Sequence, residues 1–239
     1  MKIAQHLSID PLAHHLLIGL CFFFAASIAS VTGFGSNIIG LPLLTMLVSL
    51  DGGKQSLIVL GAVMYLGLFL RARRQVNWRE FGIIALLAAI GLPIGMLLYA
   101  HLPGRLSIIL LGLFVAGVGL RNLLRAARTL EHDGLRDQTM QTSPSRDDKD
   151  RRRANRWAWL LLLGGGIVHG AFTTGGPLLI VYADKTLPHK SVFRATLSLM
   201  WLTLDVLLIV GWSASHTWSP DAGRLVLIGL PFTIIGLIV

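Results

Sequence analysis

Apolar positions in this chain fall in long runs, not in strict alternation. Residues 12–31, 81–100 and 192–212 each reach the length a spanning helix needs, about 20 residues. Residues 56–70, 106–120, 157–168 and 225–239 form further runs. Two shorter pieces, 38–50 and 178–183, follow polar, glycine-rich interruptions and are too short to span. They are expected as half-helices or re-entrant segments. The pattern predicts an all-α, polytopic membrane helix bundle.

The interruptions are the most informative part of the pattern because they occur twice. Residues 31–44 read VTGFGSNIIGLPLL, and residues 168–179 read VHGAFTTGGPLL. The sequence Ile90-Gly91-Leu92-Pro93 returns as Ile228-Gly229-Leu230-Pro231. This predicts two homologous repeats, each opening with a Gly-rich broken helix. The division expected is a first transmembrane repeat over 1–122, a cytoplasmic linker over 123–156, partly disordered at 137–150, and a second repeat over 157–239. The first repeat closes with the run 106–120, which has no counterpart after Val239, so the second repeat reads as truncated by one final helix. If each break is crossed once, the repeats are parallel. If each is a hairpin, they are inverted and the N-terminus lies outside.

Composition agrees with the runs. The 239 residues are 54% hydrophobic and only 14% charged, against roughly 25% charged in soluble domains; mean hydropathy is +0.68. The net charge of +9 does not imply nucleic acid, because the basic residues cluster at the ends of apolar runs. Arg71, Arg73, Arg74 and Arg79 follow one run, and the linker carries Arg121, Arg125, Arg128 and Arg151–Arg153 among others. The excess of Lys and Arg assigns both connectors to the cytoplasm. Trp78, Trp157, Trp159, Trp212 and Trp218 stand at run ends, as interfacial anchors do, whereas Trp201 lies deep in a run and reads as a packing or lipid contact. Cys21 has no partner cysteine.

A break in a spanning helix frees backbone groups that lipid cannot satisfy, and matched breaks in two halves point to a transporter's binding site. The second break offers His169, Thr173, Thr174, Gly175, Gly176 and Pro177; the first offers Thr32, Gly33, Gly35, Ser36, Asn37 and Gly40. A half-helix starting near Pro177 turns its positive end toward the break, which suits an anion. Small residues also serve close helix packing, but duplication and the polar neighbours favour a site. Substrate-binding candidates are Ser36, Asn37, His169, Thr173, Thr174, Gly175, Gly176 and Arg194. His169 and the intramembrane Asp205 are candidates for proton coupling. Lys185, His189 and Lys190 suggest a basic vestibule or interfacial anchors. Asp51 and Lys54 read as a solvated turn. No H-E-x-x-H, C-x-x-C, G-x-S-x-G or P-loop is present, so the chain is not expected to be an enzyme, and no cofactor or metal is expected.

GFGSNIIGLPLL, RARRQVNW and above all GGGIVHGAFTTGGPLLIVYADKTLPHKSVFRATLSLMW resemble the sulfite exporter TauE/SafE family of bacterial membrane permeases. The first half departs from the usual G-x-G-G cluster, since Ser36, Asn37, Ile38 and Ile39 intervene. The resemblance implies a two-repeat permease of the bacterial cytoplasmic (inner) membrane. Its expected function is secondary transport, in the direction of export, of a small anion such as sulfite, a sulfonate or a related organic anion. The alternative is a membrane scaffold or accessory subunit without transport. The partners expected are the anion and membrane lipid, with self-association left open.

Overall fold

The computed structural model describes residues 10–33, 35–133, 148–187 and 189–238. Among them every regular element is helical. In chain order these are α1 (Pro11–Thr32), α2 (Ser36–Leu47), α3 (Leu50–Ala72), a 3-10 turn (Arg73–Gln75), α4 (Trp78–His101), α5 (Gly104–Asp133), α6 (Asp148–Phe172), α7 (Gly176–Thr186), α8 (Lys190–Ala214) and α9 (Ala222–Ile238). Five are long and apolar enough to cross a membrane: α1, α3, α4, α5 and α8. The chain is therefore a polytopic helical membrane bundle. The expected linker is helical at both ends, since α5 continues to Asp133 and α6 begins at Asp148; of the stretch expected to be disordered, 137–150, residues 148–150 instead open α6, and the rest falls within 134–147, outside the described residues.

Local chemistry sets the helix ends. Pro11 opens α1, where its missing N–H costs nothing. Gly33, at φ 81°, closes α1 in the left-handed conformation, with its N–H on Ala29 O at 2.8 Å. The Ser49 hydroxyl caps α3 by accepting from Gly52 N at 3.2 Å. Pro42, Pro93 and Pro231 lie inside helices, which membrane helices tolerate when neighbours satisfy the freed carbonyl.

The chain forms two compact units. One takes in α5 and the start of α6, over Leu102–Leu160. On α5, Leu106, Ile108, Ile109, Leu113 and Leu120 are exposed, as lipid-facing side chains are. The other unit runs to His101 and resumes at Leu161; it holds the core, with Ile58, Met64, Leu197, Met200 and Leu204 almost fully buried.

Within that larger unit both short helices fold back. The His14 ring contacts Leu47 O at 3.2 Å, and a Cβ on Gly40 of α2 would lie 3.1 Å from Ala25 of α1. Helix α2 therefore returns along α1 as a hairpin. Helix α7 returns along α6 in the same way: a Cβ on Gly165 would lie 2.6 Å from Leu179, and the Tyr182 hydroxyl donates to Glu80 near the start of α4 at 2.9 Å. Helices α3 and α8 run antiparallel. Gln55 of α3 bonds Thr217 and Ser219 beyond the end of α8, Gly61 lies against Asp205, and Asn77 N donates to Thr196 near the start of α8 at 3.0 Å. The two hairpins thus open toward opposite ends of the α3–α8 pair.

Helix α6 meets α4 backbone to backbone. A Cβ on Gly166 would collide with Ala88 O, one on Gly170 with Leu92 O, and one on Gly91 with Leu163 O. Only glycine allows this approach, and in lipid such van der Waals contact is what holds helices together. In the second copy of the motif, Gly229 of α9 packs instead on the side chains of Phe22 of α1 and Leu60 of α3. Gly166→Leu should destabilise the bundle by about 1–3 kcal/mol through overpacking. Gly112→Ala on α5, where a Cβ meets nothing within 4 Å, should be neutral or slightly stabilising. Thermal unfolding in detergent checks the pair, and equal melting of both variants would contradict the packing.

Candidate functional site

The two breaks have the same length and meet. Residues 33–35 separate α1 from α2, and residues 173–175 separate α6 from α7. The Asn37 side-chain amide, in the first turn of α2, donates to Thr173 O at 3.0 Å. Around this contact lies a pocket of about 270 Å³ of empty space, its open mouth included, with a wall drawn from both halves. Gly35, Ser36, Asn37 and Ile38 come from the first break and Thr173, Thr174 and Gly176 from the second. His169 of α6, Tyr65 of α3, and Trp201 and Asp205 of α8 complete it.

Backbone geometry explains how the breaks present their groups. Gly35 caps α2 at φ 94°. Thr173 closes α6 as Gly33 closes α1: its N–H bonds His169 O at 2.7 Å, and its φ is 58°. Left-handed backbone is uncommon for a β-branched residue and costs on the order of 1–2 kcal/mol. Such strain persists where the surroundings over-determine it, which is common at binding sites. Helices α2 and α7 both begin at the pocket, with Gly35, Ser36 and Gly176 at their N-termini. Two helix ends with unpaired N–H groups and positive dipole ends therefore face one space.

The side chains there are buried and short of partners. His169 Nδ1 and Nε2, Thr173 Oγ1, Thr174 Oγ1, Trp201 Nε1 and both Asp205 carboxylate oxygens have no hydrogen bond. The nearest approach is His169 Nε2 to Asp205 Oδ1 at 3.6 Å, an ion-pair distance beyond hydrogen-bonding reach. Ser36 Oγ and Tyr65 Oη lie 3.3 Å apart. The Trp201 ring lies 5.5 Å from His169 and 6.5 Å from Tyr65, centroid to centroid. Each orphaned buried polar group costs about 1–3 kcal/mol, so a cluster of them marks a place where a ligand or water supplies what is missing. The donors are two hydroxyls, an indole N–H and an imidazole; the acceptor is one carboxylate. Among the described residues no group of His, Cys, Asp and Glu is clustered to hold a metal.

Most residues singled out from the sequence come together here: Ser36, Asn37, His169, Thr173, Thr174, Gly176 and Asp205 line one pocket. Gly175 stands beside it as the cap of α7. Arg194 does not line it. Its guanidinium donates to Ser30 O at 2.6 Å, and its stem packs on Gly33. Lys185, His189 and Lys190 are exposed and also stand apart from the pocket wall. Trp201 and Tyr65 are the site residues that sequence reading misses. Trp201 is one helical turn before Asp205 and so shares its face, which was a usable signal. Lys54 is no solvated turn: it is buried, with its ammonium 3.3 Å from the Tyr99 ring centroid and 3.3 Å from Asp51. Trp212 is likewise buried, near the end of α8.

A membrane bundle in which two broken helices meet tip to tip around a polar pocket belongs to the class of transporter-like folds. Residues 18–239 match the sulfite exporter TauE/SafE family, and the chain belongs to that family. It is also 27% identical over 169 residues to a Comamonas testosteroni protein named probable inner membrane transporter protein TsaS. That match covers 69% of this chain and 61% of the relative, so it spans about three-fifths of the relative's length. No solved structure matches the chain.

The left-handed backbone at Thr173 is directly testable. Thr173→Gly and Thr173→Ala both lose the hydroxyl, but only glycine accepts the φ without cost. Thr173→Gly should be the more stable of the two by about 1 kcal/mol, read as a higher melting temperature in detergent. The reverse order would contradict the geometry.

Proposed function

We propose that this chain is a secondary transporter of the bacterial inner membrane that moves a small anion, sulfite or a sulfonate, in the direction of export. The observation that carries this reading is the pocket itself: two half-helix N-termini border it, and two hydroxyls, an indole N–H and an imidazole converge there, buried and without hydrogen-bond partners. Such donors replace the water shell of an oxyanion without requiring a full counter-charge. The family's description and the relative's name support the same reading. The hairpin breaks and the antiparallel α3–α8 pair support inverted repeats over 1–122 and 157–239, with 123–156 as a cytoplasmic linker. In that arrangement Arg71, Arg73, Arg74, Lys185 and Lys190 share the inner side, in line with the positive-inside rule, and the N-terminus lies outside.

Asp205 needs its own account, since a carboxylate repels an anion. The His169–Asp205 pair, at 3.6 Å, can hold one or two protons. A negative ion seated beside the pair is favoured when the extra proton is present, so ion and proton bind together by linkage, and outward flux is then driven by the anion's own accumulation inside the cell against the opposing proton gradient. His169 and Asp205 are therefore the proton-coupling groups of the cycle, and Thr173, Thr174, Ser36 and Asn37 hold the anion.

Flux of a sulfonate, whose charge does not titrate near neutrality, tests this in vesicles containing the full chain. Asp205→Asn should keep anion binding, because it removes like charge, while flux loses its response to an imposed pH gradient. Thr173→Ala combined with Thr174→Ala should weaken binding about tenfold, the equivalent of one to two hydrogen bonds. Wild-type vesicles that carry neither sulfonate nor sulfite would leave the scaffold alternative standing.

A further inference from the structure

Helices α3 and α8 correspond when 140 is added to each α3 number. Their first residues, Leu50 and Lys190, match in this way, as do the breaks at 33–35 and 173–175. The same step pairs Lys54 with Arg194, Gly61 with Trp201, and Tyr65 with Asp205. Within each helix these three positions follow the spacing of i, i+7 and i+11, which is one face. Each stripe thus begins at a basic residue in the second turn and leads to the pocket wall, which Tyr65 enters from α3 and Trp201 and Asp205 from α8.

Because α3 and α8 are antiparallel, the two basic residues lie at opposite ends of this line. Gly61 sits level with Asp205. Counting 7 residues back to Lys54 and 11 back to Arg194 separates them by about 27 Å along the axes at 1.5 Å per residue, close to the ~30 Å hydrocarbon thickness. Arg194 touches a break directly, and Lys54 is linked to one through Tyr99. The Arg194 stem packs on Gly33. Lys54 lies over the Tyr99 ring, and that ring stacks edge-on against Phe172, the last residue before the second break.

Resting on the anion-pocket reading above, we propose that the two stripes form one anion path across the bundle, with Arg194 as its inner terminal site and Lys54 as its outer one. Lys54 is built for transient use. Its ammonium is buried under Tyr99 and neutralised by Asp51 at 3.3 Å. Asp51 is itself about half exposed and takes a 2.7 Å hydrogen bond from the Tyr99 hydroxyl. An anion leaving the pocket outward exchanges with the Asp51 carboxylate on Lys54, then passes to water. Arg194, whose guanidinium rests on Ser30 O, receives anions at the inner end.

The test uses the full chain in oriented vesicles, with sulfite as the probe, and reads KM separately from each face. Lys54→Gln should raise the outer-face KM about tenfold, within the range of electrostatic focusing, and leave the inner-face KM unchanged. Arg194→Gln should do the reverse. Lys54→Arg and Arg194→Lys should keep most of each face's affinity. Asp51→Asn frees Lys54 from its counter-ion and should lower the outer-face KM, an opposite sign that a folding defect does not produce. Equilibrium sulfite binding at the pocket, followed by Trp201 fluorescence, should stay near the wild-type value throughout. KM changes that are absent, or equal on both faces, overturn the path while leaving the pocket intact. A wild-type chain that binds no sulfite or sulfonate overturns the pocket reading itself.

Discussion

Lipid offers no hydrogen bonds, so a spanning helix can be interrupted only where protein, water or a ligand takes over the freed groups. That constraint organises this molecule. Both breaks are short, both are closed by a left-handed residue whose N–H returns to the helix before it, and each is placed against the other. Asn37 hands its amide to Thr173 O, so one break helps satisfy its counterpart. What remains unsatisfied is concentrated in the side chains of His169, Thr173, Thr174, Trp201 and Asp205. The bundle tolerates these orphans in one place only because its helices pack closely elsewhere, through glycines that bring α6 onto α4 and α9 onto α1.

The same arrangement accounts for the chemistry. An anion needs donors and a positive potential, but a permanent buried cation at the centre would hold the ion too tightly to release it. On the proposed reading the pocket offers helix ends, hydroxyls and the His169–Asp205 pair instead, while the full charges of Lys54 and Arg194 stand away from it, each engaged by a nearby acceptor. On the proposed anion reading, binding at the centre is divided among several weak partners, as a site that must both load and empty requires.

Much of this was legible in the sequence. Apolar runs of membrane length, doubled glycine-rich breaks and the repeated Ile-Gly-Leu-Pro motif lead to a helical membrane bundle with half-helices, and the polar residues at the breaks turn out to share one pocket. Three residues resisted. Lys54 looked like part of a turn because its neighbours Asp51, Gly52 and Gly53 are turn formers; only α3 packing under Tyr99 shows that it is buried. Trp201 looked like a packing residue, since an aromatic in an apolar run is marked as part of a site only by its place one turn before Asp205. Arg194 looked like part of the central pocket because it is a cation close in sequence to the second break, but folding carries its stem to Gly33 of the first.

The sequence by itself determined that the chain lives in a membrane, where its helices break, and which donors stand at the breaks, because hydrophobic length, glycine and proline act locally. Only the tertiary structure decided that the breaks are hairpin turns, that they enter from opposite ends, and that α3 and α8 lie antiparallel between them. Those outcomes depend on contacts between residues far apart in the chain, such as Asn37 with Thr173 and Gln55 with Thr217, and no local propensity encodes which distant partner a helix end will meet.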